Sequence, residues 1–328
     1  MNSSEWFREE PVRADKGLPL LITPGRTQDF VELLQAQRQV LEERLHSAGA
    51  LLLRGFGIDS LEKFDAVTAA FSTSRPSFAE ESSPRSRLQG AIYTSTDYPA
   101  EYPIQFHSEY AYTARWPLRL FFCCLVPAAT GGATPIADTR RILRRLKDRT
   151  RAHFADQGLQ YVRNFIPYIG VSWQKAFNTE DPALVERYLR EAGIDHHWGD
   201  DGRLRTVQRG PAIAVHPVTG EEVWFNTAFF FNVRALEPVS LRELFLSEPE
   251  EDLSTNTYYG DGSPIEPEVI EELRQAYQAE SSSFPWQAGD VMVIDNMLAA
   301  HAREAFTGPR RIAVVMADPH PPAGPGAR

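Results

Sequence analysis

Apolar residues recur at helical spacing over residues 27–49, where Phe30, Leu33, Leu34, Val40, Leu41 and Leu45 form a stripe that Gly49 ends. The run "ALLLRGF" (50–56) is apolar throughout and closes on glycine, which predicts a buried strand. Helical spacing returns over 59–72. Residues 73–103 are rich in Ser, Pro, Arg and Tyr and read as a long surface loop of the kind that carries function. "LRLFFCCLV" (118–126) predicts a strand, "PAATGG" a turn and "ATPIAD" a strand end. Residues 138–156 read as an Arg-rich amphipathic helix with a solvated charged face, and 181–194 and 265–279 as further helices. "GPAIAVHPVTGEEVWFN" (210–226) reads as a hairpin. "FPWQAGDVMVIDN" (284–296) and "PRRIAVVMADP" (309–319) read as two late strands, and residues 1–20 as a polar lead-in.

Many short strands with a few helices and no βαβ rhythm favour a mainly β fold with flanking α-helices: a double-sheet jelly roll, the double-stranded β-helix, as one domain over 1–328. The chain of 328 residues is long enough for a sizeable core, and 42% hydrophobic with 24% charged residues is ordinary for a soluble globular protein. A net charge of −10 argues against broad binding to nucleic acid or to anionic membranes. The N-terminus lacks the apolar segment of a signal peptide, and no apolar run is long enough to span a bilayer. The two cysteines, Cys123 and Cys124, are adjacent, so on a strand they point to opposite faces and read as buried free thiols. The expected location is the cytoplasm.

Candidate chemistry begins at "QFHSEYAYTARWP" (105–117). His107 and Glu109 stand two apart among strand-forming residues, so both side chains reach one point; this is necessary for a shared metal but common by chance. The second part is "GDVMVIDNMLAAHAREAFTGPRRIAVVMADP" (289–319), in which His301 precedes Arg310 and Arg311. Two histidines and a carboxylate on a β scaffold make a facial triad that leaves positions open on Fe(II). A chelating 2-oxo acid fills two of these, and its far carboxylate suits an arginine fork with a nearby Ser or Thr hydroxyl. The two arginines alternate faces, so one points inward.

The stretches "FHSEYAYTARWP…FFCCLVPAATGGATPIADTR" and "WQAGDVMVIDNMLAAHAREAFTGPRRIAV" resemble the taurine dioxygenase-like (TauD/TfdA) superfamily of Fe(II)- and 2-oxoglutarate-dependent oxygenases. More narrowly they resemble its syringomycin aspartate-hydroxylase-like branch, related to clavaminate synthase. "SPR" (83–85), "YTSTDYP" (93–99), "YIGVSWQKAFNT" (168–179), "VWFN" (223–226) and "YGDG" (259–262) match the same branch, so the resemblance runs from about residue 50 to about 318. It implies His107, Glu109 and His301 as iron ligands, Arg311 as the 2-oxoglutarate carboxylate partner with Arg310 as its competitor, and Thr134 of "GGAT" as the assisting hydroxyl. Arg311 is favoured because the family's arginine directly precedes the apolar strand. Iron halogenases of this fold lack the carboxylate, so Glu109 points to hydroxylation or a related oxidation.

The resemblance implies Fe(II) with 2-oxoglutarate and O2 as cosubstrates. It also implies hydroxylation of an unactivated C–H of an amino acid, free or tethered to a peptidyl carrier protein, in specialised metabolism. Desaturation or oxidative cyclisation by the same centre, a metal-free binding protein and a zinc or manganese hydrolase are the rivals. Arg303, Asn226, Arg85 and Thr96 are the candidate substrate contacts, with Tyr93, Thr94, Ser95 and Trp224 behind them. His196 and His197 read as exposed loop residues, His216 as a turn or strand-edge residue, and Asp290 and Asp295 as turn and capping residues.

Overall fold

The structure, a computed structural model, describes residues 5–75, 80, 85–166 and 170–320. Residues 83–84 of the "SPR" motif and 168–169 of "YIGVSWQKAFNT" lie outside these. An eight-stranded sheet runs in the order Phe7–Pro11, Leu20–Pro24, Ala50–Leu53, Val291–Asp295, Trp116–Val126, Arg311–His320, Ile92–Thr94 and Arg87–Gln89. A four-stranded sheet, Ser281–Ser282, Ile136–Asp138, Ala299–Arg303 and Ile104–His107, packs against it. The two sheets form the jelly-roll core. A third sheet of Asp195–Trp198, Leu204–Gly210, Leu159–Phe165 and Thr255–Tyr259 stands beside them.

The central strands of the large sheet are buried on both faces, and strand alternation divides their side chains cleanly. Leu120, Phe122, Cys124, Met292, Ile294, Ile312, Val314 and Met316 face the small sheet, where they pack with Ile136 and Ala299. Phe121, Cys123, Val291, Val293, Ala313 and Val315 face the opposite way, onto Phe30, Leu33, Leu41 and Leu45 of the helix Phe30–Ala48 and Phe64 and Phe71 of the helix Leu61–Phe71. This two-sided burial explains why these strands read as continuous apolar runs rather than as alternating ones. Burial pushes both thiols up to about 12, so the cysteines are protonated, free and inert.

The first helix starts where Asp29 accepts hydrogen bonds from the amides of Val31 and Glu32, and it ends at Gly49 with φ 80°. The predicted helix over 138–156 is two helices, Thr139–Arg145 and Asp148–Gln157, separated at Leu146. Its charge is not all solvated. Arg140 is buried, pairs with Asp138 and donates to the carbonyls of His46 and Ser47 at the end of the first helix. The polar lead-in is also more ordered than its composition suggests, because Phe7–Pro11 and Leu20–Pro24 extend the large sheet. Phe7 alone is buried in the outer of these strands, which is why periodicity missed it. His196 and His197 sit on a strand, not in a loop.

Candidate metal centre

The strand Ile104–His107 pairs antiparallel with Ala299–Arg303, and the register sets His301 directly opposite His107. Their ring centroids are 4.3 Å apart. Glu109 lies two residues on, where the chain turns through Tyr110 at φ 57°. Its backbone is clamped by the fully buried Asn296, whose Oδ1 accepts from the Glu109 amide at 2.8 Å. The Asn296 Nδ2 donates to the carbonyls of Glu109 and Pro117 at 2.8 and 2.9 Å. Nothing in "IDNM" distinguishes a buried amide from a turn residue, so the role of Asn296 emerges only from the fold.

Glu109 Oε2 lies 3.9 Å from His107 Nε2 and 3.8 Å from His301 Nε2, and one ligand atom from each residue falls within 4.8 Å of the others. The donor set suits a first-row divalent metal. His107 Nδ1 donates to the Gln105 carbonyl at 2.8 Å, which leaves its Nε2 lone pair facing Glu109. Burial, foremost, holds His107 below the usual imidazole range. Burial and the neighbouring His107 hold His301 well below it, so both rings are in the neutral, ligating form. Phe230 stacks on His107 and Phe122 packs against His301, with centroids at 4.5 and 5.2 Å.

The three residues line a small cavity with Arg85, Ser95, Thr96, Phe122, Thr134, Arg303 and Arg310 among its walls. Arg310 is the arginine that points in. Its Nε donates to the Gly132 carbonyl at 2.9 Å, and Nη1 and Nη2 reach Ser95 Oγ and Thr134 Oγ1 at 3.3 and 3.4 Å. Arg311 is exposed and is absent from the cavity walls, which corrects the expectation placed on it. The reason is parity. Arg310 shares the face of Ile312, Val314 and Met316, which look toward the small sheet.

Thr134 Oγ1 also accepts from Trp286 Nε1 at 3.1 Å. With two donors on its oxygen, the hydroxyl keeps its own hydrogen to offer elsewhere. The glycines of "GGAT" allow this corner to close. A Cβ on Gly132, at φ 72°, would stand 3.1 Å from Arg310 Cδ, and one on Gly131 would stand 2.2 Å from the Ala305 carbonyl oxygen.

The substrate candidates separate. Thr96, Arg85 and Arg303 line the cavity. Arg303 donates to the carbonyls of Tyr98, Pro99 and Tyr102 and so ties down the preceding loop. Asn226 is elsewhere: it is buried, donates to the Ala212 carbonyl and accepts from the Ala228 amide, so its amide group is a backbone brace. Trp224 is likewise core, and Tyr93 bonds Arg87. His216 stands where the short strand Ala214–Val215 enters its turn, as expected, but it is buried. Its Nδ1 accepts from the amides of Val218 and Thr219, and its Nε2 faces Asp295 Oδ2 at 3.1 Å. Asp295 caps the turn at Met297 and Leu298, and Asp290 pairs with Arg54, as structural residues do.

Comparison with known proteins agrees with this geometry. The family model of the taurine catabolism dioxygenase TauD, TfdA family matches residues 16–316. The dapdiamide synthesis protein DdaC of Enterobacter agglomerans is 37% identical over 279 residues, 85% of either chain. A clavaminate synthase-like protein of Arabidopsis thaliana is 30% identical over 312 residues, 92% of this chain and 90% of its own. The fold matches that of PvcB from Pseudomonas aeruginosa with a TM-score of 0.57 at 18% identity, over 95% of this chain and 91% of that one. Among the described residues no helix is long and apolar enough to cross a membrane. The chain therefore belongs to the taurine catabolism dioxygenase TauD, TfdA family and is a dioxygenase that works with iron and 2-oxoglutarate.

Proposed function

We propose that the enzyme hydroxylates an unactivated C–H bond of an amino acid, free or carrier-bound, in a biosynthetic pathway. His107, Glu109 and His301 hold the iron, and Arg310 with Thr134 receives the far carboxylate of 2-oxoglutarate. The observation that carries the reading is that the triad and the Arg310–Thr134–Ser95 corner line one cavity. Iron with 2-oxoglutarate and O2 supplies the oxidising power, with succinate and CO2 as the coproducts. The protein's part is placement and exclusion of water. The neutral imidazoles and Glu109 present the metal ligands, and Phe122 keeps the His301 ring among apolar neighbours. Arg310 also wants an anion, since burial and the nearby Arg303 charge lower its proton affinity to about 10. Similarity to a protein of dapdiamide synthesis supports an amino-acid-like substrate.

The test is anaerobic titration with Fe(II), then 2-oxoglutarate, followed by succinate release over a panel of amino acids and their carrier-bound thioesters. A visible charge-transfer band that needs both additions, and is lost in His301→Ala, is expected. Iron binding without a band on adding 2-oxoglutarate refutes the cosubstrate site.

A further inference from the structure

The cavity sets three guanidinium groups, Arg85, Arg303 and Arg310, against one carboxylate, Glu109, among the described residues that line it. Unmatched buried charge is strongly unfavourable, so the site calls for anions. A divalent metal and the dianion 2-oxoglutarate cancel each other, and the positive excess is unchanged when both are bound.

The three arginines differ in what satisfies them. Arg303 gives three hydrogen bonds to backbone carbonyls. Arg310 sits in its corner with the Gly132 carbonyl and two hydroxyls, suited to the cosubstrate. Arg85 has a side chain nine-tenths buried, yet its partners are few. Among the described residues, Nη2 donates to Glu109 Oε2 at 2.7 Å, Nη1 meets only the thioether sulfur of Met316 at 3.2 Å, and Nε is buried with no acceptor. A guanidinium carries five N–H donors, and here one has a strong acceptor. That acceptor, Glu109 Oε2, is also the oxygen that faces both imidazole Nε2 atoms. A metal ion on this oxygen repels the guanidinium and competes for the same lone pairs. Arg85 is thus a buried, donor-rich cation beside the metal-ligand candidate Glu109, and it shares no hydrogen-bond partner with Arg310 among the described residues.

We infer that Arg85 is the anchor for a carboxylate of the substrate, turning from Glu109 to a bidentate pair with it, so that the substrate carries a free carboxylate beside the iron. The inference rests on the iron and 2-oxoglutarate reading and narrows it. A neutral amino acid whose carboxyl is tied up as a carrier thioester leaves Arg85 without its partner and is excluded.

The experiment uses the full chain loaded anaerobically with Co(II) and saturating 2-oxoglutarate. The cobalt spectrum is followed while propionate, or its uncharged isostere propionamide, is added. Propionate is expected to shift the wild-type spectrum with an affinity at least tenfold better than that of propionamide. Arg85→Gln is expected to abolish the preference while still binding cobalt and 2-oxoglutarate, and Arg85→Lys, which keeps the charge, to retain part of it. Equal responses to the two probes, no response to propionate, or a preference that survives in Arg85→Gln overturns the inference. Loss of cobalt binding in both variants also overturns it, because Arg85 is then a support for Glu109. A wild-type protein that gives no cobalt–2-oxoglutarate spectrum overturns the underlying reading first, and this inference with it.

Discussion

Replacing Arg310 and, separately, Arg311 with alanine sets two adjacent arginines of equal charge and size against each other. Arg310 is partly buried, aimed at Thr134 and Ser95, and shares a face with the apolar residues that line the cavity. A carboxylate gripped there makes charge-assisted hydrogen bonds, each contributing about 1.5–3 kcal/mol. Truncating one partner of such a pair weakens binding by about 2–5 kcal/mol. Taking about 3 kcal/mol, Arg310→Ala weakens 2-oxoglutarate roughly 150-fold. Arg311 is exposed on the first residue of its strand, where substitutions stay within about 0.5 kcal/mol, or roughly twofold. The assay is anaerobic 2-oxoglutarate titration of the Fe(II) protein, read by the charge-transfer band, with metal affinity measured beside it. Arg310→Lys serves as a control, since it keeps the charge without the planar fork and is expected to fall between the two. An Arg311→Ala loss as large as that of Arg310→Ala refutes the parity argument. A large loss of metal affinity in Arg310→Ala refutes the separation of the two ends of the site.

Asn296→Ala removes three buried hydrogen bonds around Glu109 and is expected to weaken metal binding by about tenfold to a hundredfold, as measured by Mn(II) titration; unchanged affinity would show that Glu109 orients itself. Asn226→Ala is expected to lower stability by about 1–3 kcal/mol in urea unfolding through the stranded Ala212 and Ala228 backbone groups, with 2-oxoglutarate affinity of the folded protein unchanged. Stability should also fall in mild acid when the metal is removed. Burial holds His46, His107, His301 and His320 below the usual imidazole range, so the unfolded chain takes up protons first, near about pH 6.5. Their contribution is therefore complete above that pH and is lost as pH falls through it. Glu80 opposes this, since burial raises its carboxyl and acid favours its folded form, but it is one group against four. A thermal midpoint that stays level or rises between about pH 7.5 and about pH 5.5 contradicts the reasoning.

The two halves of the site differed in how legible they were, and the difference is physical. His107 and Glu109 were readable as a pair from strand spacing, although the strand ends at His107 and Asn296, not strand alternation, holds Glu109 in place. The strand register then brought His301 opposite His107, which no spacing along the chain encodes. The central strands were legible as apolar runs, whereas Leu159–Phe165, Leu204–Gly210 and Thr255–Tyr259 of the third sheet mix polar and apolar residues and gave no clear signal. Asn226 and Asn296 are both deeply buried amides, yet one braces a turn and the other clamps a metal ligand's backbone. Residue type alone does not separate them.

Arg310 and Arg311 show where pattern reasoning stops short. Because the strand beyond them is buried on both faces, hydrophobicity carries no phase, and an arginine placed by its distance to the apolar run lands on either side with equal ease. The phase is fixed by tertiary partners. Ile312, Val314 and Met316 face the small sheet, a register shift falls between Arg311 and Ile312, and Arg310 closes onto Gly132 because no Cβ stands in its way. The same partners hold Trp286 against Thr134 and so orient the hydroxyl that Arg310 meets. The Arg310–Thr134 corner proposed for the cosubstrate is thus a product of packing among four separate segments, while the proposed metal ligands are set by strand register at His107 and His301 and by the Asn296 clamp at Glu109. This is why substitutions in the corner, at Arg310, Thr134 or Trp286, should move 2-oxoglutarate affinity together and leave metal affinity to His107, Glu109, His301 and Asn296.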